Sequence, residues 1–274
     1  MTPKLVFFSY GSSERWRPSM ERLCDEAAKY GEFDEVLRMA QEDLEKDPVF
    51  WDRHKEFISK NHRGAGYWLW KSYITMTLLS SLNENDILVY MDAGCALWPT
   101  KAAKQRFREY VEIVRTHSTG VFGFSTEYPN KQWSKMDIFK HFNATSEEDL
   151  NKPQIMSGAS LWRKCETSLK MATEWYETMA ANYNLIDDTP SKEPNDPLFQ
   201  ENRHDQSILT MIFHKYGAPH TEKDELWDFR RNNYTRPFWA ARLRYGQGLH
   251  PEYLQMLENE KLQEQQEQEQ QKSQ

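Results

Sequence analysis

The chain has 274 residues, enough for one sizeable α/β domain whose core needs no covalent staples. Its formal net charge of −7 argues against a generic nucleic-acid or polyanion binder, which carries a basic stripe, so any phosphate site has to be local. Three widely separated cysteines, Cys24, Cys95 and Cys165, form no Cys-x-x-Cys pair, which argues against a disulfide framework or a zinc cluster and suits a reducing cytosol.

Taken in order, Leu5-Val6-Phe7-Phe8-Ser9-Tyr10 predicts a first strand, and Gly11-Ser12-Ser13 a donor-rich turn into a helix. The opening apolar run is too short for a signal peptide, and no later stretch approaches a membrane span, so a soluble protein is expected. Met20, Leu23, Cys24, Ala27 and Ala28 recur at helical spacing until Gly31. Glu32 to Met39 suits a second strand, closing a βαβ unit whose crossover should be right-handed. Asp47-Pro48 reads as an N-cap and first helical position, ahead of a helix burying Phe50, Trp51, His54, Phe57 and Ile58.

Arg63-Gly64-Ala65-Gly66-Tyr67-Trp68-Leu69-Trp70-Lys71 combines two glycines that permit close backbone approach, three flat aromatic faces and two cations. The same residues also suit a tight turn with aromatic core packing. A helix using Tyr73, Met76, Leu79 and Leu82 then leads to Ile87-Leu88-Val89-Tyr90-Met91-Asp92-Ala93-Gly94-Cys95. This reads as a buried strand that delivers Asp92 to the carboxyl end of a sheet, where ligands of open α/β folds collect. A turn or helix N-cap is the plainer role for Asp92.

Pro99-Thr100 predicts a helix start and Val121 to Phe124 another buried strand. Ser125 to Lys152, with Tyr128, Trp133, Phe139 and Phe142, looks like an excursion from the core with a short helix near Met136. Gln154 to Trp162 returns to strand character, and Lys164 to Ala181 is an amphipathic helix. Asp187 to Glu201 is a long loop with five acids and three prolines, expected to be mobile or ligand-covering. It ends in Asn202-Arg203-His204-Asp205-Gln206-Ser207, with Asp205 at a helix N-terminus, where an N-cap carboxylate is the structural alternative. The segment from Trp227 to Tyr245 is rich in arginine (Arg230, Arg231, Arg236, Arg242, Arg244), and from residue 251 to 274 the chain is Gln- and Glu-rich, expected as a solvated helix or disorder outside a domain spanning 1–250.

Together, Gly64 to Lys71 followed by Ile87 to Cys95, and the later Arg203 to Ser207, resemble a GT-A type nucleotide-sugar glycosyltransferase, in particular small enzymes of bacterial polysaccharide loci and large DNA viruses. The resemblance covers roughly residues 4 to 245. It implies a single-domain α/β fold, Rossmann-like, with a mixed, mostly parallel sheet flanked by helices. It also implies transfer of a hexosyl or pentosyl group from a nucleoside-diphosphate sugar, UDP favoured, to a hydroxyl of a glycan acceptor. Charge, cysteine usage and hydropathy add the expectations of no nucleic-acid partner, a cytoplasmic location (the host's, if virus-encoded) and no transmembrane segment. By the same resemblance Ser9, Tyr10, Arg63, Lys71, Asp92, Ala93 and Gly94 lie against the donor nucleotide. Ser157, Gly158, Trp133 and His204 flank sugar and acceptor, and Asp205 and Gln206 are catalytic. Asp92 stands at the first carboxylate of the Asp-x-Asp motif and Gly94 at the second. A Mn²⁺ or Mg²⁺ ion would then rest on Asp92, with Asp205 or His220 completing its shell; the metal-free alternative uses Arg63, Lys71 or Arg203 on the leaving diphosphate. Two other readings remain: a sugar nucleotidyltransferase, for which Gly11 to Arg15 is a poor glycine-rich loop, and a catalytically inactive carbohydrate- or partner-binding module.

Overall fold

The computed structural model describes residues 3–227, 235–249 and 251–272, so Arg230 and Arg231 lie outside the described residues. The first strand, β1 (Leu5–Gly11), feeds α1 (Arg17–Tyr30), which Gly31 ends at φ 80°, a value that favours glycine. Next, β2 (Glu35–Ala40) begins three residues later than expected; it lies parallel to β1 and, with only β1 beside it, is partly exposed. Two helices follow, α2 (Gln41–Glu45) and α3 (Pro48–Lys60), and Asp47 caps the second by accepting from Val49 N at 3.0 Å. After one tight turn, α4 (Gly64–Tyr67), α5 (Leu69–Ser81) runs back to β3 (Ile87–Met91), which lies parallel to β1 on its other side.

Beyond β3 come the short β4 (Ala96–Leu97) and α6 (Lys101–Thr116), capped by Thr100 Oγ1 accepting from Ala103 N. The edge strand β5 (Val121–Pro129), the small helices α7 (Met136–His141) and α8 (Glu147–Asn151), and β6 (Pro153–Arg163) follow. Then come α9 (Glu166–Ala181), α10 (Asp205–Tyr216), β7 (Phe238–Trp239) and α11 (Pro251–Lys272).

The main sheet has the order β2-β1-β3-β6-β5. Only β6 runs against the rest, pairing antiparallel with β3 and β5, so the sheet is mixed with four strands sharing one direction, as expected. Alternation along the strands divides the core. Val6, Phe8, Tyr10, Leu88 and Tyr90 pack towards α3, α5, α9 and α10, whereas Phe7, Ile87, Val89 and Met91 pack towards α1 and α6. Both faces of β1 and β3 are therefore covered, which is why these strands read as continuous apolar runs. Trp162 is fully buried and stacked on Trp175, a core role.

The loop from Asp187 to Glu201 is pinned rather than free. Asp137 accepts from Lys192 N (2.9 Å) and Glu193 N (3.0 Å), Asn195 Oδ1 from Met136 N (2.8 Å), and Gln132 O from Gln200 N (2.9 Å). The Asp137 side chain and the Gln132 carbonyl thus satisfy N–H groups of the loop, the loop's Asn195 side chain in turn accepts from the excursion, and the loop's length reflects a second layer over the excursion. Close to the carboxyl end of the chain, β7 pairs antiparallel with β4 and draws residues 238–246 back across the molecule. The first turns of α11 place Met256 and Leu257 against Trp98 and Ala103. Among the described residues, no helix is long and apolar enough to cross a membrane.

Candidate active site

The carboxyl ends of β1 and β3 open into a cleft of about 410 Å³. Its floor is the turn after β3. Cys95 N donates to Asp92 O (2.8 Å), Asp92 N to Gly158 O of β6 (2.8 Å), and Arg22 Nη2 to Ala93 O (3.1 Å) and Cys95 O (2.5 Å). Gly158 keeps this contact close: a Cβ at that position would lie 3.3 Å from Asp92 Oδ2 and push the carboxylate aside by a few tenths of an ångström.

The opposite wall begins with an unusual piece of backbone. Gly64, Ala65, Gly66, Tyr67 and Trp68 all have positive φ (58°, 51°, 86°, 52° and 60°), and Trp68 N bonds back to Gly64 O at 3.1 Å, so α4 is a turn wound left-handed. Each non-glycine residue held this way costs about 1–2 kcal/mol. The two glycines carry less of that strain, and neither tolerates a Cβ: it would fall 2.4 Å from the Trp68 ring at Gly64 and 2.8 Å from Ile58 Cγ1 at Gly66. The turn packs Trp70 against Tyr10, with ring centroids 3.9 Å apart, and begins α5 where Lys71 meets the end of β3.

Lys71 is the centre of the site. Its side chain is 2% exposed, and Nζ lies 3.0 Å from Asp92 Oδ1 and 3.1 Å from Asp205 Oδ2. It also donates to Ser157 O and Oγ, both at 3.2 Å. Tyr90, two residues before Asp92 on β3, donates its hydroxyl to the same Oδ1 at 2.5 Å. Burial works against the ammonium, yet Asp205 and Asp92 outweigh it and hold the Lys71 pKa above the ordinary lysine value. Asp205, equally buried, has its pKa raised by that burial, against the pull of Lys71 and of a Ser157 hydrogen bond and with a push from Asp92. Burial, reinforced by Asp92, also raises the Tyr90 phenol, which stays protonated and donating. One ammonium therefore serves two carboxylates, of which Asp205 is enclosed and Asp92, 41% exposed, faces the cleft.

The structure brings together most of the residues singled out from the sequence: Tyr10, Arg63, Lys71, Asp92, Ala93, Gly94, Ser157, Gly158, His204, Asp205 and Gln206 all line the cleft. Asp205 is not an N-cap. It is the first residue of α10, and its carboxylate turns to Lys71 instead of a backbone N–H. Gln206 Oε1 accepts from Ser157 N at 3.2 Å and ties α10 to β6. His204 precedes the helix with φ 54° and ψ −120°, a strained conformation outside glycine. Its Nδ1 meets Ile186 O at 2.5 Å, so Nδ1 carries the proton; Nε2 lies 4.0 Å from Asp188 Oδ1, and burial lowers the pKa of the ring.

Three expected residues lie elsewhere. Ser9 is fully buried and donates to Met91 O at 2.8 Å, because alternation along β1 turns it into the sheet interior. Trp133 stands one layer behind the cleft, carrying the Arg203 guanidinium 4.2 Å from its ring. His220 bridges to Gly123 of the edge strand β5, with β6 between it and β3, and its Nδ1 lies 2.9 Å from Thr221 O.

A divalent cation does not fit these residues. With His220 remote, the candidate ligands are Asp92 and Asp205, and the Lys71 ammonium already sits between them. Oδ1 of Asp92 is taken by Lys71 and Tyr90 and Oδ2 of Asp205 by Lys71, so an ammonium already occupies the place where a cation held by both carboxylates would sit. Among the described residues, no group of three or more His, Cys, Asp or Glu side chains is placed to hold a metal.

Sequence reading missed Tyr90, although the two-residue period of a strand places it on the same face as Asp92. It also missed the third wall, where Trp16, just ahead of α1, meets Leu226, Trp227, Ala240, Arg242 and Arg244, segments that flank β7 and reach the cleft with the β4–β7 pairing.

The chain matches no protein-family profile and no curated protein. Solved structures similar to it include a glycosyltransferase involved in the glycosylation of the major capsid of PBCV-1 (9% identity, 86% of this chain and 92% of that chain, TM-score 0.43). They also include mouse xyloside xylosyltransferase 1 in its apo form (11% identity, 79% and 84%, TM-score 0.42). A third is the galactosyltransferase LgtC in complex with donor and acceptor sugar analogues (12% identity, 76% and 70%, TM-score 0.35). All three are glycosyltransferases; at these identities and TM-scores the likeness carries no residue role to this chain.

Proposed function

We propose that the protein is a glycosyltransferase that moves a sugar from a nucleoside-diphosphate sugar, UDP-sugar favoured, to a hydroxyl of a glycan acceptor. The observation that carries this reading is the Asp92–Lys71–Asp205 arrangement at the carboxyl end of β3, in a cleft whose walls are aromatic and arginine-rich. Such a reaction develops negative charge on the leaving diphosphate and oxocarbenium character on the sugar, and the acceptor hydroxyl has to lose a proton. Cations and a carboxylate must therefore converge on one point, and here they do.

In this reading Tyr10 and Trp70, already stacked on one another, form the aromatic wall beside the nucleotide, and Asp92 orients the donor. Asp205 is the base on the acceptor hydroxyl, and the burial that raises its proton affinity acts in the direction a base requires. Gln206, fixed by Ser157 N, positions hydroxyls beside it. Inverting chemistry follows if Asp205 takes the proton. Whether the sugar moved is a hexose or a pentose belongs to the same experiment: a thermal-shift screen of the full chain against UDP, GDP, CDP and dTDP and their sugar conjugates. A ligand at a hundredfold its dissociation constant stabilises by about 2.7 kcal/mol, which is readily seen. A shift with one base and one sugar identifies the donor; no shift with any of them refutes the reading.

A further inference from the structure

The strap after β7 is stapled to the cleft floor. Leu243 N donates to Gly94 O at 2.9 Å, Tyr245 N to Arg15 O at 2.9 Å, and Gly246 N to Ser19 Oγ at 3.2 Å. These bonds lay the strap against the turn that follows Asp92 so closely that a Cβ on Gly94 would stand 3.3 Å from Arg242 Cα. Arg242 itself is held at φ 55°, a left-handed conformation that a non-glycine residue adopts only under constraint. Arg242 and Arg244 are exposed, and both line the cleft. The Arg242 guanidinium lies 4.2 Å from the Trp227 ring centroid and that of Arg244 6.0 Å from Trp16.

The other cations of the cleft are engaged. Lys71 serves Asp92 and Asp205, Arg63 pairs with Asp188 at 2.8 Å, and Arg203 pairs with Glu201 at 3.0 Å while lying over Trp133. Among the described residues, neither Arg242 nor Arg244 has a carboxylate partner. In a chain of net charge −7, two such guanidiniums over one turn, held against indole faces, form a seat for an anion. The turn itself supplies Asp92, which by itself repels phosphate; the single Lys71 ammonium, shared with Asp205, offsets part of that charge and the two guanidiniums outweigh the rest.

We propose that Arg242 and Arg244 seat the diphosphate of the donor, and that these two guanidiniums, with Lys71 beside Asp92, let the seat fill without a divalent cation. The nature of the ligand rests on the glycosyltransferase reading; the anion seat rests on the strap alone. Guanidiniums match phosphate oxygens bidentately and carry their charge at any working pH, so the work a Mn²⁺ ion does on a diphosphate falls to the chain.

The test is isothermal titration of the full chain with UDP, UMP and inorganic pyrophosphate in EDTA, and of UDP again in excess Mn²⁺. UDP and pyrophosphate should bind in EDTA, and Mn²⁺ should leave the UDP dissociation constant nearly unchanged. Arg242→Gln and Arg244→Gln should each weaken UDP about tenfold, the loss expected for one charge-assisted hydrogen bond, and UMP less. Both positions are exposed, so the ligand-free melting temperature should not move. UDP binding that appears only with Mn²⁺, or a double variant that binds UDP as tightly as the parent, overturns the proposal. Pyrophosphate binding with no nucleotide binding keeps the seat and removes the glycosyltransferase reading. Absence of binding by every probe removes both.

Discussion

Replacing Lys71 by Met removes the cation from a buried group of three charges while nearly preserving its volume. Asp205 is then left with its carboxylate 5% exposed and no ammonium within reach, beside the like charge of Asp92. Removing one partner of a buried pair typically costs about 3–5 kcal/mol, a large part of the stability of a domain. The sign with pH follows from the direction of the Asp205 pKa. It is already raised by burial, and losing the Lys71 attraction raises it further. A carboxyl whose folded pKa lies above its unfolded value contributes its full stability below the unfolded value and loses it as pH rises through the folded one. The penalty of Lys71→Met should therefore be small in acid and grow by about 1.4 kcal/mol per pH unit until Asp205 ionises in the folded state. Urea unfolding followed by tryptophan fluorescence at several pH values between 4 and 8 measures this directly. Adding Asp205→Asn, which removes the stranded charge, should recover part of the loss and flatten the pH dependence. A loss below about 1 kcal/mol, or one independent of pH, would refute the argument that Lys71 neutralises a buried carboxylate.

Other consequences are equally accessible. Asp92→Ala should abolish transfer in a protein that still folds but loses about 1–3 kcal/mol of stability, because the buried Tyr90 hydroxyl is left without its acceptor; near-parental turnover would exclude Asp92 from donor binding. Asp205→Asn should lower turnover about 100-fold or more if it is the base, with little effect on donor affinity by titration. Gly64→Ala should destabilise the fold by at least about 2 kcal/mol, because its Cβ would fall 2.4 Å from the Trp68 ring. By contrast Gly217→Ala, also at positive φ but with open space around it, should cost only about 1 kcal/mol in a thermal melt. Burial lowers His54 and His214 to about 4, so both stay neutral in the folded protein while they titrate near 6.5 when unfolded. The contribution of these two histidines is full above pH 6.5 and should fall by up to about 3 kcal/mol per unit as pH drops towards 4, two protons being taken up on unfolding, while the raised Asp205 works in the opposite direction. His54→Gln should halve that slope in urea titrations.

How far the site could be read from sequence depended on whether its chemistry was local. Asp92 at the end of an apolar run, the Gly64–Lys71 stretch and Asp205 at a helix start were all visible, because strand period, glycine spacing and helix onset are properties of neighbouring residues. That Lys71 would lie 3.0 and 3.1 Å from two carboxylates, 21 and 134 positions further along the chain, was not visible, since the sequence holds no record of which strand ends meet. The same limit misassigned Ser9 and His220. Both residue types suit a ligand site, but Ser9 turns inward by alternation and His220 is carried off by its bridge to the edge strand.

Local chemistry therefore determined the elements: which runs become strands buried on both faces, where Asp47, Thr100 and Gly31 begin or end helices, and that a carboxylate stands at the end of β3. Each follows from side chains within a few residues of one another. The tertiary structure alone decided the left-handed winding of α4, the sharing of one ammonium between Asp92 and Asp205, and the strap that brings Arg242 and Arg244 to the cleft. Strain at Ala65, Tyr67 and Trp68 and the burial of Lys71 are unfavourable locally and persist only because distant packing over-determines them. Local sequence cannot reveal an arrangement that local energetics oppose.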